Sequence, residues 1–138
     1  MKAVRFDPED GAVMFAAGVF YYFTTNQMKQ FVKTTAEHFP GGRLVFDAAG
    51  KTAVKLMLKT WVKQAGIKDV CAYFSVKDAK GELECWAPLL SVSSCGYMQR
   101  YQKLEGPGVS PIHRLLAKIA DGPLHLQIVR VCFKERSG

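Results

Sequence analysis

The chain has no Cys-x-x-Cys pair, no Gly-x-Gly-x-x-Gly turn after a strand, no Gly-x-x-x-x-Gly-Lys phosphate loop and no apolar run long enough to span a bilayer. Each absence removes a class. Four cysteines, Cys71, Cys85, Cys95 and Cys132, form no ligand pair with one another or with the histidines His38, His113 and His125, so the spacing of a zinc site is missing. They read as small packing residues in a reducing compartment. The N-terminal stretch lacks the apolar core and small-residue cleavage site of a secretory signal, and the expectation is a soluble, cytoplasmic protein without a membrane partner. No serine or cysteine is set beside a histidine by sequence logic, which leaves nucleophilic catalysis without support.

What is present is a core. With 138 residues, 49% hydrophobic and 12% aromatic, residues 1–138 read as one packed domain. The formal charge of +7 permits an acidic partner. Much of it lies in Lys51, Lys55, Lys59 and Lys63, which recur every four residues and form one ridge of a helix. Val54, Met57, Leu58, Trp61 and Ala65 line the other side, so the ridge reads as a solvent face. A basic nucleic-acid-binding domain rests on charge alone and is the weakest of the functional alternatives.

The run from Ala12 to Val19 does not alternate with polar residues and reads as a strand buried on both faces. Thr24-Thr25-Asn26-Gln27 is a capping box, and Met28, Phe31, Val32, Thr35 and Phe39 follow at helical spacing until Pro40-Gly41-Gly42. Leu44-Val45-Phe46 with Asp47 is a second buried strand. Together these make a parallel βαβ unit. A second helix covers about Lys51 to Ala65 and stops at Gly66. Further on, the sequence gives a short helix over Asp78–Trp86, a strand over Leu90–Tyr101, a turn at 105–108, a helix over Pro111–Ala120 and a last strand over Leu124–Phe133.

An apolar parallel strand belongs between two neighbours, and the run from Ala12 to Val19 needs more partners than its own unit supplies. Crossovers of one hand stepping one way place the helices at 25–39 and 51–65 on the same face, leaving the other uncovered unless the helix at 111–120 reaches it.

The segment Ala16-Ala17-Gly18-Val19-Phe20-Tyr21-Tyr22-Phe23, the capped helix, and His38-Phe39-Pro40-Gly41-Gly42-Arg43-Leu44-Val45-Phe46-Asp47 resemble the middle of the leucine carboxyl methyltransferase-like family, which includes O-methyltransferases related to the tetracenomycin polyketide-synthesis type. Ala65-Gly66-Ile67-Lys68-Asp69-Val70, Val76-Lys77-Asp78-Ala79, Glu82-Leu83 with Trp86, and Gln127-Ile128-Val129-Arg130 extend the resemblance from Gly11 to Phe133. It implies an α/β fold: the C-terminal half of a Rossmann-like methyltransferase sheet, a parallel βαβ followed by antiparallel strands, three-layer or incomplete two-layer. The first three strands of the family's sheet, with the glycine motif and the acidic residue that hold S-adenosylmethionine, have no counterpart here.

The resemblance implies the C-terminal portion of an S-adenosylmethionine-dependent O-methyltransferase, inactive alone, whose intact form acts on a small-molecule or protein carboxylate or hydroxyl. Ala17, Gly18, Val19 and Tyr22 fall where the family's loop passes beside the cofactor, although many relatives carry Glu at the position of Ala17. Gly18 as a tight strand exit and Tyr21 and Tyr22 as aromatic core are equally open readings. Asp47 is the candidate catalytic carboxylate, with capping of Ala48-Ala49-Gly50 as the alternative. Trp86 and Tyr97 fall where the family builds a substrate cover, with packing as their other reading. The alternative function is a non-catalytic module that self-associates, as a homodimer formed through an open strand edge or sheet face.

Overall fold

Helix α1, Thr25–His38, begins where the sequence places it because both halves of its capping box form. The Thr24 hydroxyl accepts from the Gln27 amide at 3.1 Å, and the Gln27 side chain accepts from the Thr24 amide at 2.8 Å. The computed structural model describes residues 11–66, 74–98, 108 and 110–135. Cys71, the turn residues 105–107 and the side chain of Trp61 fall outside the described residues.

Among the described residues four strands form one sheet in the order β1-β2-β4-β3. Strand β1 is Val13–Ala16, β2 is Arg43–Ala48, β3 is Leu90–Gly96 and β4 is Gln127–Phe133. β1 runs parallel to β2, and β4 is antiparallel to both β2 and β3. This is an open mixed α/β sheet of generic Rossmann-like topology. Since β4 alone is reversed, β1, β2 and β3 share one direction and their C-terminal ends lie on one side.

One face of the sheet carries the core. Leu44 and Phe46 of β2, Val129 and Val131 of β4, and Leu90 and Val92 of β3 meet Met28 and Val32 of α1. Ala79 and Leu83 of α3, Ala79–Leu83, pack on the same cluster. The Phe20 and Phe46 rings meet edge to face at 5.1 Å, and Phe74 extends the contact from Phe46.

Among the described residues nothing covers the other face. Val13 is 60% and Phe15 77% exposed, and Arg43, Ser91, Ser93, Cys95 and Arg130 are exposed beside them. Among the described residues β1 has one neighbour, β2, so its second edge is open. The expectation of a strand buried on both faces is therefore corrected: β1 is an edge strand, shorter than Ala12–Val19. It ends at Ala16 because Gly18 turns at φ +66° and Val19 already takes helical angles before the 3₁₀ turn Phe20–Tyr22.

Helix α2, Lys51–Met57, continues as a π-helical stretch over Leu58–Val62, and Gly66 at φ +71° follows in the left-handed conformation. Lys51, Lys55, Lys59 and Lys63 are all exposed, as the ridge predicts. Ala65 is exposed too, so the expected apolar side is shorter. Its buried Val54 joins Tyr21 and Ala49 in a smaller cluster, separate from the core beneath α1. Helix α4, Pro111–Asp121, is capped by Ser110 and buries only the small Ala117 and Ala120. It leaves Ile112, Leu115, Leu116 and Ile119 exposed. Cys85 and Cys95 are exposed free thiols, not the buried packing residues expected. Cys95 lies on the bare side of β3, and Cys85 donates to the Gly81 carbonyl.

Candidate functional site at the strand ends

In open α/β sheets ligands sit beyond the C-terminal ends of the parallel strands. Here that end is knitted by one carboxylate. Asp47, the penultimate residue of β2, accepts from the Gly18 amide at 2.7 Å through one oxygen and from the Tyr21 hydroxyl at 3.0 Å through the other. Both donors belong to the loop that leaves β1. Asp47 thus ties two strand ends together and reaches across to that loop, not into its own Ala48-Ala49-Gly50 turn.

Gly18 is needed for its backbone angle, since nothing lies within 4 Å of where a Cβ would stand. Its neighbours Ala17 and Val19 are exposed, so this loop forms an open rim. Tyr21 is 5% exposed, which makes it a core aromatic with a polar tip, and Tyr22, at 48%, projects from the same turn. Burial of Tyr21, reinforced by the Asp47 charge and hydrogen bond, pushes its phenol well above its ordinary value, so it is neutral and donating at physiological pH.

Tyr97 follows the C-terminal end of β3, and its amide donates to the Leu126 carbonyl at 3.1 Å. It is on the same side of the sheet as Asp47, since Asp47 and Cys95 both pair with Ile128. Trp86 is not. It precedes β3, stacks edge to face on Phe74 and borders a surface hollow with Lys33, Ala36 and Glu37 of α1, at the end where the strands begin. The structure brings Ala17, Gly18, Val19, Tyr22, Asp47 and Tyr97 to one end and leaves Trp86 at the opposite end, packed as its other reading held.

Sequence reasoning missed two residues at this end. For Tyr21 the core and site readings were both open, and what went unseen is that its hydroxyl, once buried, needs a partner such as Asp47. Gln127 is 8% exposed and donates through its side-chain amide to the Val76 and Lys77 carbonyls, holding the segment before α3 to the start of β4. A long polar side chain within the apolar run Leu124–Phe133 was the available signal.

Among the described residues no cluster of histidine, cysteine, aspartate or glutamate is arranged to hold a metal ion, and no helix is long and apolar enough to cross a membrane. No protein-family model matches the chain, and no curated protein matches it.

By itself the rim does not fit S-adenosylmethionine. Asp47 is turned toward the Gly18 amide and the Tyr21 hydroxyl, and no glycine-rich turn stands beside it among the described residues. No reaction step through the cofactor follows from these residues.

Proposed function

We propose that this chain is the C-terminal half of an S-adenosylmethionine-dependent O-methyltransferase sheet, competent only when a cofactor-binding half lies along the free edge of β1. The observation that carries the reading is β1 itself. It has the apolar composition of an interior parallel strand, yet Phe15 is 77% exposed and the edge beside it is open. The strand order, parallel β1-β2 followed by antiparallel β4 and β3, is compatible with the second half of such a sheet.

On this reading Ala17, Gly18, Val19 and Tyr22 form one wall of the cofactor site. Asp47 is a positioning residue that fixes the Gly18 loop, since its two oxygens accept from the Gly18 amide and the Tyr21 hydroxyl. The cofactor supplies an electrophilic methyl group, and the chain's contribution is to present the rim and exclude water. Tyr97 stands over the same end as a substrate contact. The acceptor is a carboxylate or hydroxyl of a small molecule or protein.

A second reading, a non-catalytic interaction module, is favoured by the apolar residues that α4 and the bare face leave exposed. Calorimetric titration with S-adenosylmethionine tests the first. The chain alone gives no heat of binding, and an equimolar mixture with a separately expressed N-terminal half of a leucine carboxyl methyltransferase-like enzyme binds. Tight binding by the chain alone, or none by the mixture, overturns it.

A further inference from the structure

The two edges of the sheet differ in how they meet solvent. On β3, at one edge, carboxylates take the outward amides: Val92 donates to Glu84 at 2.9 Å, and Met98, just past the strand, donates to Asp121 at 2.8 Å. Charged side chains laid on an edge in this way keep it from pairing with another strand. On β1, at the other edge, no such guard stands among the described residues. The Arg43 amide donates to the Ala12 carbonyl, so the ladder to β2 uses Ala12, Met14 and Ala16, while Val13 and Phe15 turn their amides and carbonyls outward. The strand has no proline, its register with β2 runs without a bulge, and no charged residue occurs from Gly11 to Met28. The devices that blunt an edge are thus present on β3 and missing from β1.

We propose that β1 pairs with β1 of a second copy of this chain, antiparallel about a two-fold axis at Met14, so that the two sheets become one. In that register Val13 lies opposite the partner's Phe15, and their outward amides and carbonyls exchange hydrogen bonds on both sides of the axis. Met14 faces the partner's Met14, Ala12 the partner's Ala16, and Gly11 the partner's Ala17. Large side chains meet large ones at the centre and small ones meet small ones at the ends. An aromatic opposite a β-branched residue is a favourable cross-strand pair, and here it forms twice on the uncovered face, where Val13 is 60% and Phe15 77% exposed.

Charge favours this occupant as well. Although each copy carries +7, every residue that meets across the axis is uncharged, so the copies touch where like charges are absent. A pair of this kind uses the same edge of both copies and closes on itself. With the β3 edge guarded, no head-to-tail route to a filament remains along the sheet. A pairing this short buries little surface, so the dimer is weak and the dilute chain is monomeric. The inference concerns the chain on its own and does not rest on the methyltransferase reading, under which a cofactor-binding half takes the same edge.

Sedimentation velocity of the intact chain from about 5 µM to about 1 mM, in about 0.15 M salt, covers the affinities of weak interfaces. The expected result is a reversible monomer–dimer equilibrium with no larger species. Amide exchange by NMR at the two ends of that range locates the contact. The Val13 and Phe15 amides slow by roughly tenfold or more in the dimer, while Met14 and Ala16, already bonded to β2, change less. Val13→Pro removes an outward amide that β2 does not use, so the chain keeps its circular dichroism and stays monomeric throughout. Phe15→Lys sets a cation on each side of the axis and weakens the dimer by roughly tenfold. A chain that is monomeric up to the highest concentration overturns the proposal. So does a dimer in which Val13 and Phe15 exchange as fast as in the monomer, or one that persists undiminished in folded Val13→Pro. Should Val13→Pro not fold, the exchange comparison, which needs no variant, decides.

Discussion

Replacing Asp47 by alanine removes both acceptors that hold the β1 exit loop, and the consequences follow from burial. Tyr21 is 5% exposed, so its hydroxyl loses a charged partner and has little water to replace it. A hydrogen bond to a charged group contributes about 1.5–3 kcal/mol, and a stranded buried donor costs about 1–3 kcal/mol. Allowing for their overlap, Asp47→Ala destabilises by about 2–4 kcal/mol. In a domain of this size that lowers the melting temperature by roughly 3–4 °C per kcal/mol. Tyr21→Phe removes the donor itself and costs about 1.5 kcal/mol, the low end of that range, because water can reach half-buried Asp47 in its place. The double variant is therefore milder than the sum, with a coupling of about 1–2 kcal/mol, read from urea unfolding of the four proteins in a double-mutant cycle. Asp47→Asn, which keeps an acceptor for the Gly18 amide, falls between wild type and alanine. Additivity within about 0.5 kcal/mol would refute the reasoning, because Asp47 and Tyr21 would then not share an interaction.

Three further outcomes are expected. Tyr21 holds its proton in the folded protein above its ordinary value near 10, so the unfolded chain binds fewer protons in that range and stability falls as pH rises past 10. Tyr21→Phe loses that component, and its urea midpoint declines less steeply between pH 9.5 and 11 than wild type; parallel declines would count against a buried, raised phenol. Phe46→Ala, in the core, costs about 3–5 kcal/mol, whereas Phe15→Ala on the bare face costs under about 1 kcal/mol in the chain alone, and comparable losses in chemical denaturation would mean that Phe15 is covered. Gly18→Ala strains the backbone at φ +66° without a steric clash and costs about 1–2 kcal/mol, with Gly18→Asn milder because asparagine tolerates that region better; a thermal melt in which Asn is the worse of the two argues against a purely conformational role.

The elements legible in the sequence were those set by local chemistry. The Thr24–Gln27 box, the Pro40-Gly41-Gly42 stop, the β2 strand and the left-handed Gly66 each follow from a few adjacent residues, and each appears where those residues put it. The lysine ridge was equally direct. Long-range facts were not legible. Trp86 was grouped with the strand-end residues, yet which end of the sheet it occupies depends on the direction of β3, which no local pattern specifies. The join between Tyr21 and Asp47 spans 26 residues, although two polar groups at the C-terminal ends of neighbouring parallel strands are natural candidates to meet. The apolar run around Val13 and Phe15 misled in an informative way: its composition suits a strand with two neighbours, and among the described residues it has one. Cys95 is exposed for the same reason, since it lies on the face that nothing described covers.

Amide hydrogen exchange along β1, followed residue by residue by NMR on the monomeric chain, probes the account at its root. The Ala12 carbonyl accepts from Arg43 at 2.7 Å, and in a parallel pair alternate residues turn both backbone groups toward the same neighbour, so Met14 and Ala16 face β2 while Val13 and Phe15 face the open edge. Slow exchange at Met14 and Ala16 with fast exchange at Val13 and Phe15 is the predicted pattern. Equal, strong protection of all four in the monomer would contradict the account, because the second edge of β1 would then already be filled.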